Sequence, residues 1–184
     1  MKLQTATIER LRDALLHSGR RPSIVPSSAY ETLTREGLLT PEEVGSIHLV
    51  GPLAETMFLM MAADGVLADV EQDAVRGAIR TLTNDVLRTG TINVMLEGYA
   101  KRLADSGREA RLQEIAEEIA EDPHQAEGAF ALAAAVALAD DHVRDEENEF
   151  INRLAEWFGI SEDRTTQILD QLEDERELAE LGAS

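Results

Sequence analysis

Apolar side chains recur along this chain with the period of helices and almost nowhere with the two-residue alternation of strands. In "TIERLRDALLHSG" Ile8, Leu11, Leu15 and Leu16 share one face, and Gly19 follows in the position of a helix C-terminus. "RRPSIVPSS", with its two prolines and three serines, reads as a linker or extended segment, and a short helix is expected at "SAYETLTREG". In "TPEEV" Thr40 is placed to cap a helix, Pro41 takes its first position, and two glutamates meet the positive end of the dipole. Gly51-Pro52 is expected to break or kink that helix. Further helices are predicted over about 53–63, 69–88, 91–106, 108–121, 123–139, 145–158 and 161–180, with Gly65, Gly90, Gly107, Pro123 and Gly159 as punctuation. The fold class this predicts is all-α: a compact bundle of about seven to nine helices, with residues 1–40 as a helical extension and linker and 41–184 as the main domain.

Within that pattern lies an internal repeat. A shift of 76 positions lays "AADGVLADVEQDAVRGAIRTL" (62–82) on "LADDHVRDEENEFINRLAEWF" (138–158) without a gap. Asp64 meets Asp140, Asp69 meets Asp145, and Glu71 meets Glu147; the apolar positions Leu67, Val75, Ala78 and Leu82 meet Val143, Ile151, Leu154 and Phe158. The unit is helix, acidic loop, helix, present over about 53–88 and again over about 129–158.

The two copies, "ADGVLADVE" (63–71) and "ADDHVRDEE" (139–147), resemble the tellurite-resistance TerB family, whose domain also occurs in the N-terminal region of some DnaJ-type co-chaperones. The first copy fits the family's Ala-Asp-Gly-x-aliphatic-x-x-x-Glu pattern fully, and the second places Asp141 where glycine is usual. Asp is among the few residues besides glycine that tolerate positive φ, so the turn survives the exchange and gains a carboxylate. The resemblance covers roughly residues 50 to 170. It implies a helical domain whose two loops lie near each other and pool their carboxylates as a metal-binding cluster, in a family linked to tellurite and other chemical stress.

The chemistry of those residues points the same way. Hard divalent cations take oxygen ligands, and Ca²⁺ takes six to eight, more than one of these loops supplies. Asp64, Asp69, Glu71, Asp140, Asp141, Asp145 and Glu147 together form an all-oxygen candidate set for Ca²⁺, Mg²⁺ or Mn²⁺, with Leu67 and Val143 pinning the loops to the core. Neither loop has EF-hand spacing, and His142 is the only imidazole nearby. A purely structural role is open for the same residues. Acids in the first turn of a helix stabilise it by about 0.3–1 kcal/mol each through its free N–H groups and dipole, and Asp64 and Asp140 are suited to organising turns.

Composition narrows the classes. The chain has 184 residues, 43% of them hydrophobic and 29% charged, which suits a folded domain. It has no cysteine, so disulfides, thiolate metal sites and cysteine nucleophiles are excluded. A net charge of −19 disfavours nucleic acid and anionic lipid and concentrates cations. No h-region opens the chain and no apolar run is read as approaching 18 residues, so a cytoplasmic protein without direct membrane insertion is expected. No phosphate-cradling glycine loop, nucleophile elbow or His-Glu-x-x-His is present, which predicts a non-enzymatic module. The Met-rich "MFLMM" reads as core packing, Trp157, Phe158 and Ile160 as a core anchor, and "LEDERELAEL" as a solvated face or contact arm. The function expected is divalent-cation binding in a stress response. The alternative is an interaction adaptor or co-chaperone-like module that docks a protein partner on its acidic face without a specific metal, with residues 1–40 ordering the complex or a homodimer.

Overall fold

The computed structural model describes residues 4–17, 39–62, 69–138 and 145–182, and within them every regular element is a helix. In chain order these are α1 (Thr5–His17), α2 (Pro41–Met61), α3 (Asp69–Leu82), α4 (Thr89–Ser106), α5 (Arg108–Glu118), α6 (Pro123–Ala137), α7 (Asp145–Trp157) and α8 (Glu162–Gly182). The short helix expected at "SAYETLTREG" lies outside the described residues.

Thr40 opens α2 as its sequence predicts. Its hydroxyl accepts from the Glu43 N–H at 3.2 Å, and the Glu43 carboxylate accepts from the Thr40 N–H at 3.0 Å, a reciprocal capping box. The expected break at Gly51-Pro52 does not occur: α2 runs through Pro52. A proline inside a helix costs about 3 kcal/mol. Against that, Leu53, Met57 and Leu59 are fully buried just beyond it, and each such side chain contributes about 1.5–3 kcal/mol. Two side chains also meet the local carbonyls, the Tyr99 hydroxyl donating to Gly51 O at 3.2 Å and the Thr56 hydroxyl to Pro52 O at 2.8 Å.

Continuity through Pro52 overturns a second expectation. Among the described residues α2 is one helix long and apolar enough, by length and composition alone, to cross a membrane, whereas no apolar run near 18 residues was expected. More than half of that stretch is buried inside the protein, and the helix carries the buried acids Glu43 and Glu55, which suits the centre of a bundle. The helix expected to reach residue 88 stops at Leu82, because Asn84 and Asp85 adopt positive φ (49° and 59°), the left-handed conformation those two side chains tolerate. Gly90, expected as punctuation, sits in the first turn of α4, whereas Gly107 and Gly159 do end helices with φ of 81° and 68°.

The packing extends the repeat from two helices to four. The central pair is α2 and α6, which share the most extensive contact in the molecule. Around α2 lie α3, α4 and α5; around α6 lie α7, α8 and α1. Exchanging α1 with α5, α2 with α6, α3 with α7 and α4 with α8 maps the principal contacts among the described helices onto themselves, with α3 against α4 alone lacking a counterpart of similar extent. Burial follows the same relation. Val75, Ala78, Ile79 and Leu82 of α3 are buried, as are Ile151, Leu154, Ala155 and Phe158 at the equivalent places in and just after α7. Thr7, Ile8, Leu11 and Leu15 of α1 match Arg111, Leu112, Ile115 and Ile119 in and just after α5, all buried, at a shift of 104. The first helix of each half packs on the central helix of the other half.

The small-residue run "FALAAAVALA" behaves as its composition predicts. Gly128, just before it on α6, faces α2 so closely that an added Cβ would stand 3.0 Å from Leu53 Cδ2. Alanines 129, 131, 133 and 134 are buried beside it, and Met57 and Met61 of the Met-rich segment are core residues.

Candidate functional site

Both acidic loops follow the central helices at equivalent points: α2 ends at Met61 and α3 begins at Asp69, while α6 ends at Ala137 and α7 begins at Asp145. Asp69 and Glu71 stand in the first turn of α3, Asp69 exposed and Glu71 half-buried, where carboxylates face the positive end of the helix dipole. Asp145 opens α7 and Glu147 lies in its first turn by backbone position, their side chains being outside the described residues. Asp64, Asp140 and Asp141 lie outside the described residues altogether, as do His142 and the aliphatic Leu67 and Val143. Among the described residues no group of three or more His, Asp or Glu side chains is arranged to hold a metal ion.

The described charge chemistry is concentrated elsewhere, on two acids of α2 whose burial the sequence pattern does not disclose. Glu43 is 1% exposed. It accepts from Arg88 Nε at 2.8 Å and Nη2 at 2.6 Å, from the Thr91 hydroxyl at 2.9 Å and from the Thr40 N–H. The Arg88 contact, helped by the Thr40 and Thr91 donors and opposed by burial, lowers its pKa from 4.5 to about 2. Glu55 is held by Arg102 (Nε at 2.7 Å, Nη2 at 2.9 Å) and by Arg111 (Nε at 2.8 Å, Nη2 at 3.0 Å). Burial alone would lower the Arg111 pKa, but its bonds to Glu55 and Glu118 outweigh that and hold it above the ordinary value. Burial, then the Glu55 charge, pushes the Tyr99 hydroxyl up; its ring lies under Arg102 at 5.3 Å and tilts against Phe58. These contacts fasten α4 and α5 to α2. The sequence signal for Glu55 was a lone acid inside the apolar stretch "PLAETMFLMM".

The second half has lighter ties. Glu175 on α8 accepts from the Thr7 hydroxyl at 2.5 Å and from Arg10 Nε at 2.6 Å, fixing α1, and Arg164 pairs with Glu127 at 2.8 Å. Arg176 of α8 donates to Leu138 O at 3.2 Å, at the very end of α6 where the second acidic loop begins. Phe150 meets Trp157 edge-on at 6.1 Å and lies under Arg108 at 4.5 Å; Phe158 is buried, and Trp157 and Ile160 are half-buried as a core anchor requires. On the contact-arm segment Leu178 and Leu181 are exposed.

A protein-family model described as "Tellurite resistance protein TerB" matches residues 52–170, which takes in both acidic loops and the helices around them. No curated protein and no solved structure matches the chain.

Proposed function

This chain belongs to the tellurite resistance protein TerB family, and on that premise we propose that its two acidic loops together bind one divalent cation, as a non-catalytic module of the response to tellurite or related chemical stress. The observation that carries the reading is the four-helix repeat: the loops leave α2 and α6, the most extensively packed pair, at equivalent positions. Asp64, Asp69 and Glu71 on one side and Asp140, Asp141, Asp145 and Glu147 on the other supply oxygen alone, the donor set of Ca²⁺, Mg²⁺ or Mn²⁺. Carboxylates gathered at that density repel one another, and a divalent cation relieves the repulsion. In a chain of net charge −19 the surrounding field raises the local concentration of cations further.

The test is a calorimetric titration of chelator-treated protein with each of the three ions. One shared centre gives one cation per chain, and Asp64→Asn and Asp140→Asn each weaken binding at least tenfold, with the double variant little worse than either single one. Two cations per chain, with each substitution abolishing only one, would mean that the loops act separately. If no ion binds, and both variants are as stable as the parent or more so, the cation site is refuted and the acidic face is left as a docking surface for a protein partner. Growth on tellurite of cells carrying the double variant, against cells carrying the parent, tests the stress role.

A further inference from the structure

Between α3 and α4 lies a surface cavity of about 450 Å³ whose lining has the opposite charge character to the chain as a whole. Asp73, Arg76, Gly77 and Arg80 present one face of α3, and Thr89 and Asn93 come from the first turns of α4. The helices run antiparallel here, so the α3 arginines meet the α4 polar groups in reverse order: Arg76 Nε donates to Asn93 Oδ1 at 3.0 Å, and Arg80 Nη2 donates to the Thr89 hydroxyl at 2.7 Å. Arg76 is further held by Asp73 at 2.8 Å and Gln72 at 3.2 Å, which fixes its guanidinium. Arg80 differs. Among the described residues it has no carboxylate partner, although acids outnumber Lys and Arg by 36 to 17 in the chain.

The geometry points to a phosphate-binding groove, with a phosphate or a small phosphomonoester as its ligand. Thr89 accepts from Arg80, so its own proton is free to be donated to an oxyanion. Arg80 uses one of its five N–H groups on Thr89 and has the rest, in a planar fork, for the same anion. The anchored Arg76 lies one turn along α3 and supplies a second guanidinium, while Asp73, 77% exposed, cancels one of the two positive charges and leaves a site for a small anion. Gly77 between the arginines keeps the floor open, since an added Cβ there would meet nothing within 4 Å. The cavity is larger than a phosphate alone and falls in the size range of small-ligand sites. This site is independent of the acidic loops, and its test stands whether or not they bind a cation.

The experiment is a titration of the full chain with inorganic phosphate and, separately, with glycerol phosphate, at ionic strength held constant with chloride, followed by calorimetry and by backbone amide NMR. The result expected is saturable binding that shifts the amides of residues 76–93, and at least a tenfold loss of affinity in Arg80→Gln with the ligand-free unfolding midpoint unchanged, since that side chain is exposed. Arg80→Lys, which keeps the charge but not the fork, falls between the two. Tighter binding of glycerol phosphate than of inorganic phosphate identifies the ligand as a phosphomonoester; equal or weaker binding identifies the free ion, and either supports the groove. Phosphate that acts no differently from chloride, or binds Arg80→Gln as well as the parent, overturns it.

Discussion

Glu43→Gln tests the account of how α2 is held, because it removes one buried charge, and with it one acceptor oxygen, at nearly constant shape. In the folded chain the Glu43 carboxylate titrates at about 2 instead of 4.5. Linkage converts that difference of about two and a half pKa units, at about 1.36 kcal/mol each, into roughly 3 kcal/mol of stability supplied by the charged form. The same contact raises the Arg88 pKa, but that side chain is 61% exposed and screened by water, so the magnitude belongs to the buried partner. Since the folded pKa lies below the unfolded one, the stabilisation is complete above about pH 4.5 and drains away as pH falls toward 2. Urea unfolding of the parent and of Glu43→Gln across pH 2 to 7 isolates it, because every other acid titrates alike in both. The gap between them should be widest from pH 5 to 7 and close at the acid end. A gap that does not change with pH, or one under about 1 kcal/mol at neutral pH, would refute the buried, charged assignment.

Two further predictions concern the architecture. Glu55→Gln leaves Arg102 and Arg111 facing a neutral group in the interior and should cost about 3–5 kcal/mol in chemical unfolding, whereas Glu55→Leu combined with Arg102→Met and Arg111→Met should recover most of that; a triple variant worse than Glu55→Gln would contradict it. The repeat also predicts a viable circular permutant. Because α5 returns across α2 and α4 after only Gly107, and α1 occupies the equivalent place on α6 and α8, a short glycine-containing connection from α8 to α1, with the chain opened between residues 18 and 38, should give a helical protein within about 1–2 kcal/mol of the parent by circular dichroism and urea unfolding; a molten or aggregated product would remove the structural equivalence of α1 and α5.

How much of this could be read from residues alone divides along the range of the interactions. The apolar period gives α1, α4, α5, α6, α7 and α8 to within a few residues, because each buries a face that its own sequence defines. Continuity of α2 through Gly51-Pro52 is hidden, since the hydroxyl that meets Gly51 O belongs to Tyr99, 48 positions away. Glu43 and Glu55 read as ordinary helix acids because their arginines lie 45 to 56 positions off. The kinship of α1 and α5 is hidden for another reason. Thr7 stands where α5 has Arg111, and the shift is 104 instead of 76, because 23 residues separate α1 from α2 against four between α5 and α6, α2 begins six positions earlier than its counterpart α6, and α1 ends three later than α5. The loop carboxylates, by contrast, are plain in the sequence because they recur at one fixed shift.

What the two halves share and what they do not separates structural demand from the rest. Glu55, buried in the first half, has Ala131 at the equivalent place in the second, and Arg102 has Leu178, so among the described residues the heavy ion network around α2 has no twin around α6. One tie is common to both halves, since Arg88 falls on Arg164 at the same shift and each pairs with an acid of its own central helix, Glu43 or Glu127; the others differ, Arg111 to Glu55 in one and Arg10 to Glu175 in the other. Packing therefore tolerates a change of chemistry at the places of Glu55 and Arg102. Three loop positions nonetheless carry the same acid in both halves: Asp64 with Asp140, Asp69 with Asp145, Glu71 with Glu147. For the last two pairs the helix dipole is a sufficient reason, as they open α3 and α7. It is no reason for Asp64 and Asp140, which precede those helices by five residues, beyond the first turn over which the dipole acts. The case for a ligand at the loops thus rests most heavily on that one pair, and for that reason it is the pair whose substitution by Asn, which keeps the turn-forming side chain and loses the charge, decides between a cation site and a turn-organising role.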